Sequence, residues 1–509
     1  MLEFYYSSAL VSIMSDERPL PRWRRPDYST LIENVYKIGT PDFDPFPTVT
    51  DVMNAAHCPV AAVHNILHGR DNALIEGTGG EIGMGKLFHE FIAHLKSEIA
   101  AGRRVRDVPQ IRYIFENFAR HEEEKRRMHC WQYYIEPWCR RKLDEISSIP
   151  TNANVFFEVS VANPYVPFLF ESGERTYPLM GKIDEVDIEN RRLIERTTMG
   201  RPDDKSPPRL KDFQLWLLWK TLCSINSEKY PEIWRNVNFK NFTLYIETPY
   251  RDFQVDTNRP EFERLTHRAY AWIHDILFER RGIHEAYDMR ECTFHNRIED
   301  CGLRWSCYGK RRPRPFRTVR DEMRNELRRM YVLLAYELIW SKHLFRYQLT
   351  MLDKPALEEL GLITSGKILS YQNGNLEIEL EPEQMDRFLA QRASGELGGY
   401  YIVFGSFFVG IKLKGNFVEQ SGENKVLINT ANVRVPVSST ALIVQTDPEI
   451  TTYVDQPWFL TEWLQRDLFS LENWGLERDD KANSNPTIRM LETIFGVDYL
   501  RRDADNARQ

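Results

Sequence analysis

Gly181-Lys182-Ile183-Asp184-Glu185-Val186-Asp187, followed after a short polar break by Leu193-Ile194-Glu195-Arg196-Thr197-Thr198, decides how the chain is read. Apolar and charged residues alternate in both runs. They predict strands over 179–186 and 192–197, joined in a hairpin at Glu189-Asn190. Side chains of a strand point alternately to its two faces, so Lys182, Asp184 and Val186 share one face and Glu195 and Thr197 the matching face of the next strand. Asp184 and Glu195 are then expected to face each other. Two carboxylates from separate strands are the oxygen ligands that a hard divalent ion needs while it bridges water and phosphate. Exposed strand carboxylates are common, so the hairpin alone does not separate a metal site from solvated charge.

Its neighbours sharpen the reading. Upstream, Gly85-Lys86-Leu87-Phe88-His89 sets a histidine at the head of an apolar helical stripe formed by Phe88, Ile92, Leu95 and Ile99, where a neutral imidazole completes a metal shell. Downstream, 210–223 predicts a helix carrying Lys211 and Gln214 one turn apart on the same side. A helix over 50–67, a long helical region over 113–147, a strand over 155–161 and a strand over 241–247 complete an expected α/β core.

Seven cysteines are too few and too unevenly spaced for the disulfide framework of a small secreted protein. Cys58 precedes the core, and Cys292, Cys301 and Cys307 follow it as C-x8-C-x5-C. Four thiolates suit a [4Fe–4S] cluster, with zinc as the competing occupant and a Cys292, His295, Cys301 set as a further alternative. Cys130, Cys139 and Cys223 sit in helical, apolar surroundings and read as core thiols.

In order, these pieces resemble the RecB-type branch of the PD-(D/E)xK nucleases, which includes the CRISPR-associated adaptation exonucleases and the nuclease part of the helicase–nuclease that trims Okazaki flaps. The family pattern G-x-x-x-H, G-x-x-D, E-x-K, Q-x-x-x-Y is met by Gly85 and His89, Gly181 and Asp184, Glu195, and Gln214, over about half the chain. The segment from Val49 through His57-Cys58-Pro59 is similar to the family's N-terminal cysteine segment. The resemblance implies a restriction-endonuclease-like core and a DNA exonuclease or flap nuclease. Mg²⁺ or Mn²⁺ would be held by His89, Asp184, Glu195 and the carbonyl of Arg196, and a [4Fe–4S] cluster by Cys58, Cys292, Cys301 and Cys307. It implies free-ended, single-stranded DNA as substrate, in repair, CRISPR adaptation or anti-phage defence. Three features depart from the pattern. Thr197 stands where the motif lysine belongs, leaving Lys211, Lys182 or Lys205 to replace it, with Lys211 favoured; Leu218 stands where the aromatic belongs, with Trp219 beside it; and the family's C-x2-C-x5-C spacing becomes C-x8-C-x5-C, with His295 three residues after Cys292, where the family has its next cysteine. The first departure keeps open an alternative, a nuclease-derived DNA-binding subunit that works with a separate helicase.

The remaining chain divides into an N-terminal arm over 1–45, the nuclease over 46–315, a basic helical linker over 316–355, a small C-terminal β-barrel over 356–445, and a helical tail over 446–509. Barrel strands are expected at 366–370, 376–380, 400–413 and 426–435, broken by turns at Asn373-Gly374, Gly415 and Gly422. Tyr400, Tyr401, Phe404, Phe407 and Phe408 are candidates for base stacking, or simply barrel core. The net charge of −7 gives no global footprint for nucleic acid, so contact with DNA must rest on local patches such as the nine Lys or Arg between Lys310 and Arg329. Gly80 to Lys86 spells a phosphate-loop pattern, but Leu87 replaces the hydroxyl residue and no strand precedes it. Pro202-Asp203-Asp204 reads as a turn. No run reaches the ~20 apolar residues of a membrane helix, and the apolar opening Met1 to Met14 lacks the features of a leader. A cytoplasmic protein is expected.

Overall fold

The computed structural model describes residues 46–57, 79–170, 173–208, 210–274, 345–372, 374–393, 400–430, 435 and 440–445. The N-terminal arm, Cys58, Cys292, His295, Cys301, Cys307, the basic run over 310–329 and the tail lie outside them.

The chain folds around one sheet. Strands β1 (Val155–Phe170), β2 (Gly173–Asp187) and β3 (Arg192–Arg196) run antiparallel; β4 (Thr243–Glu247) joins β3 in parallel, and β5 (Asp252–Val255) closes that edge. The parallel step requires a crossover, supplied by the helix Lys211–Ser224. The β2–β3 connection is longer than a two-residue turn: Asp187 accepts the Asn190 amide at 3.0 Å, and Arg191 takes a left-handed φ of 51°.

Helices cover both faces. On one side, α1 (Val49–His57), α6 (Lys211–Ser224) and α7 (Pro260–His274) bury Val52, Phe213, Trp216, Leu218, Phe262 and Ile273 against Val186, Leu193 and Leu244. On the other, α2 (Gly79–Ala100), α3 (Val108–Phe118), α4 (Glu124–Cys130) and α5 (Glu136–Ser147) form a second cluster around Phe88, Phe91, Phe115 and Trp138. The single helical region expected over 113–147 is broken after Phe118 and again by a π-helical turn over Trp131–Ile135. Residues 79–86 are the first turns of α2, so the phosphate-loop pattern is helix and not a loop.

The C-terminal strands depart most from expectation. β6 (Ile363–Gln372), β7 (Asn375–Leu380), β8 (Tyr400–Gly405), β9 (Val409–Gly422), β10 (Lys425–Asn429) and β11 (Thr440–Gln445) are not a separate small barrel domain, because β9 pairs with β1 through Val159↔Ile411 and Val161↔Val409. The result is one eleven-stranded sheet of order β10-β7-β6-β11-β8-β9-β1-β2-β3-β4-β5, with a further β10–β9 pairing. Helix α8 (Lys354–Glu359) precedes these strands and α9 (Pro382–Ala393) follows β7. The expected strand over 400–413 is two strands, turned at Ser406, whose hydroxyl donates to the Lys229 carbonyl at 2.8 Å. Gly415 is no turn; it lies within β9 opposite Tyr400. Phe404 is wholly buried in the shared core, and Tyr401 and Phe407 pack around Val403 and Val444.

Cys130 and Cys139 are buried, as expected of core thiols. Burial pushes the Cys130 and Cys223 thiols up to about 12, so neither forms thiolate near neutrality. Iodoacetamide at pH 8 should therefore leave Cys130, Cys139 and Cys223 unmodified in the native protein and alkylate them in denaturant, as read by peptide mass spectrometry. Modification of Cys130 without denaturant would show that the helical layer opens.

Among the described residues no helix is long and apolar enough to cross a membrane.

Candidate active site

Four elements meet where β2 and β3 lie side by side within the sheet. His89 stands on α2, Asp184 on β2, Glu195 on β3, and Lys211 and Gln214 on the first turn of α6. Helix α2 can approach because Gly85 has no side chain: a Cβ there would lie 3.3 Å from Thr198 Oγ1. Gly181 plays the same part for α6, where a Cβ would fall 2.5 Å from Leu218 Cδ2 and 3.1 Å from Val49 Cγ2. Leu218, in the place of the family's aromatic, therefore packs over Gly181.

Asp184 Oδ2 accepts the Arg196 backbone amide at 2.6 Å and lies 3.2 Å from His89 Nδ1. Burial opposes charge on both partners. Their mutual attraction, with the Arg196 amide on the acid, outweighs it, so His89 is raised and Asp184 lowered from their ordinary values. Glu195 behaves oppositely. Burial, and then the charge of Asp184, push its carboxyl up to about 7 despite the opposing pull of Lys211 and His89.

Lys211 enters the site through backbone strain. Leu210, just before α6, holds a left-handed φ of 63°, a conformation that costs a branched residue on the order of 1–3 kcal/mol. The turn aims Lys211 Nζ at Glu195 Oε1, 3.2 Å away, and at Gln214 Oε1, 2.8 Å away. The other oxygen, Glu195 Oε2, is buried and has no hydrogen-bond partner among the described residues.

The remaining candidates fall elsewhere. Lys182 shares the Asp184 face but pairs with Glu158 at 2.8 Å, and Glu158 reaches it from an irregular point of β1 where its φ is 55°. Lys205 is exposed in the loop after β3. Thr197 is buried, and its Oγ1 accepts the Met199 amide at 3.1 Å, a structural contact in the motif lysine's place. The Arg196 side chain turns away from the site. Its guanidinium sits between Glu185 and Glu247, donating to Glu247 Oε2 at 2.8 Å.

That guanidinium belongs to a buried ionic cluster beneath α2 and α5, which the sequence reading missed. Lys96 Nζ contacts both Glu185 oxygens at 2.8 and 2.9 Å. Lys142 lies 2.6 Å from Asp252 and 3.2 Å from Glu247. One signal was available: Lys96 follows His89 by seven residues, two turns along one helix face, and so sits on the face that meets Asp184 and its neighbour Glu185.

No family model and no curated protein matches the chain. Among the described residues no three His, Cys, Asp or Glu side chains already converge as a metal shell. The donor set nonetheless suits a divalent ion. A buried carboxylate oxygen without a partner is costly, and Asp184 and an imidazole stand beside it.

Proposed function

We propose that this chain is a metal-dependent deoxyribonuclease of the RecB type, hydrolysing phosphodiesters at single-stranded ends or flaps. The observation that carries the reading is the Glu195 carboxylate, one oxygen reached by Lys211 and the other unsatisfied beside Asp184 and His89. His89, Asp184, Glu195 and the Arg196 carbonyl would hold Mg²⁺ or Mn²⁺, which when bound supplies Lewis-acid stabilisation of charge on the phosphoryl group.

The protein's own groups do the positioning. Lys211 takes the part of the missing motif lysine: Gln214 and Glu195 fix its ammonium, which then offsets negative charge developing on the phosphate. Thr197 is freed to brace the strand end. A [4Fe–4S] cluster on Cys58, Cys292, Cys301 and Cys307 belongs to the proposal on the cysteine spacing alone. The cyclic pairing β6-β7-β10-β9-β8-β11-β6 supports reading those strands as a barrel fused to the core sheet.

The test is degradation of end-labelled single-stranded DNA by anaerobically purified protein. Cleavage is expected with Mn²⁺, none with chelator, and Lys211→Met should lower kcat by about 10²-fold while DNA binding is kept. Binding without cleavage in any metal would favour the alternative raised by Thr197, a non-catalytic DNA-binding subunit serving a separate helicase. Iron and sulfide assays accompany the preparation; zinc in their place would overturn the cluster.

A further inference from the structure

β9 lays a second cation along the face that carries Asp184. In the antiparallel ladders Ser160 stands opposite both Lys182 and Gly410, so Lys182, Ser160 and Gly410 point to one side of the sheet. Alternation carries that side along β2 to Asp184 and along β9 to Lys412. The opposite side holds the buried Val159, Ile183, Val409 and Ile411.

Lys412 is an unusual cation in its setting. Its Nζ lies over the Tyr401 ring, 4.2 Å from the centroid, and no carboxylate pairs with it among the described residues. Among the described residues the charges that act on it are cations. Burial, then Arg346 and Lys182, push it down to about 8. Lys182, in contrast, has Glu158, and Arg346 donates to the Phe46 carbonyl at 2.8 Å. A partly buried ammonium among like charges is unfavourable unless an anion joins it, and natural proteins keep such groups where ligands bind.

We propose that Lys412, with Arg346 and Lys182 beside it and Tyr401 beneath it, binds the backbone phosphates of the nucleic-acid strand whose scissile bond lies at Asp184. The proposal rests on the nuclease reading for the strand's identity. Its physical content is separate: an anion site on β9, continuous with the Asp184 face. Phosphate contacts of this kind hold a strand in register without reading its bases, and Tyr401 keeps the ammonium aimed by a cation–π contact. The site also gives the fused C-terminal strands a task, since β9 is the strand that joins them to the core.

Binding of a fluorescent single-stranded oligonucleotide is measured by anisotropy across a salt series, in chelator so that nothing is cut. Lys412→Gln should weaken binding several-fold at low salt and flatten the log–log salt slope by about 1; Lys412→Arg should restore most of both. Thermal melting should be unchanged or higher for Lys412→Gln, because among the described residues no carboxylate pairs with the charge that the variant removes. Lys125→Gln, exposed on α4, should leave affinity and slope as they were. Wild-type binding with an unchanged affinity and slope for Lys412→Gln would overturn the anion site alone. Binding that depends on Lys412 without any metal-dependent cleavage would leave the anion site standing and overturn the nuclease reading. Absence of nucleic-acid binding by the wild type would overturn both.

Discussion

Asp184→Asn is expected to lower manganese-dependent cleavage of single-stranded DNA by about 10³-fold or more, corresponding to about 4 kcal/mol of lost transition-state stabilisation. Asparagine keeps the size of the side chain, and its carbonyl can still accept the Arg196 amide now bonded at 2.6 Å. It does not carry the charge that pairs with His89 or that a divalent ion needs. The substitution also removes a carboxylate held close to the buried Glu195, whose own carboxyl is pushed upward first by burial and then by Asp184. The fold is therefore expected to survive, with a melting temperature near the wild-type value in the absence of metal. Turnover and melting are measured on the same preparation. A fully folded Asp184→Asn protein that degrades DNA at the wild-type rate would remove this carboxylate from the chemistry and the nuclease assignment with it.

The second large effect concerns stability. Arg196→Met should lower the unfolding free energy by about 3–5 kcal/mol, the usual cost of removing one partner from a buried ion pair. Arg196, Glu185 and Glu247 are each about 1% exposed, so the two carboxylates would be left facing each other without the guanidinium between them. Lys96 and Lys142 remain nearby and offset part of the loss. Adding Glu185→Gln to Arg196→Met should recover some of it, because neighbours in one ionic network couple non-additively. The urea midpoint of the three proteins reads this directly. An unchanged midpoint in Arg196→Met would mean that the cluster contributes little to the folded state. The backbone of Arg196 stays in place, so its amide bond to Asp184 should persist in whatever fraction remains folded.

Much of the core was legible because strand alternation and helical stripes are local properties. The strand pair around Asp184 and Glu195, the helix bearing His89 and the helix bearing Lys211 and Gln214 follow from residue periodicity within about ten positions. The preference for Lys211 over Lys182 and Lys205 rested on a local fact, its single-turn separation from Gln214, and of the three it is Lys211 whose ammonium lies 3.2 Å from Glu195. What failed was non-local. Nothing in residues 400–413 states that they pair with Val159 and Val161, so the C-terminal strands were assigned a domain of their own. The turn at Ser406 was hidden by the apolar residues from Phe404 to Val409, which read as one strand, although Gly405 makes the bend at a left-handed φ of 105° and Gly410 lets the returning strand approach, where a Cβ would fall 2.6 Å from the Phe404 carbonyl. The buried ionic cluster was missed for a different reason. Charged residues on a strand are ordinarily read as solvent-facing, and only the approach of α2 and α5 converts Glu185 and Glu247 into interior groups.

The ladder between β1 and β9 joins residues about 250 positions apart. At roughly 5–20 residues per second, a ribosome needs about 10–50 s to make that stretch. During that interval the nascent chain presents β1 as a naked edge, a template on which other chains can add strands. Newly made protein should accordingly depend on chaperones until β9 emerges, and expression of a piece ending before β9 should yield inclusion bodies.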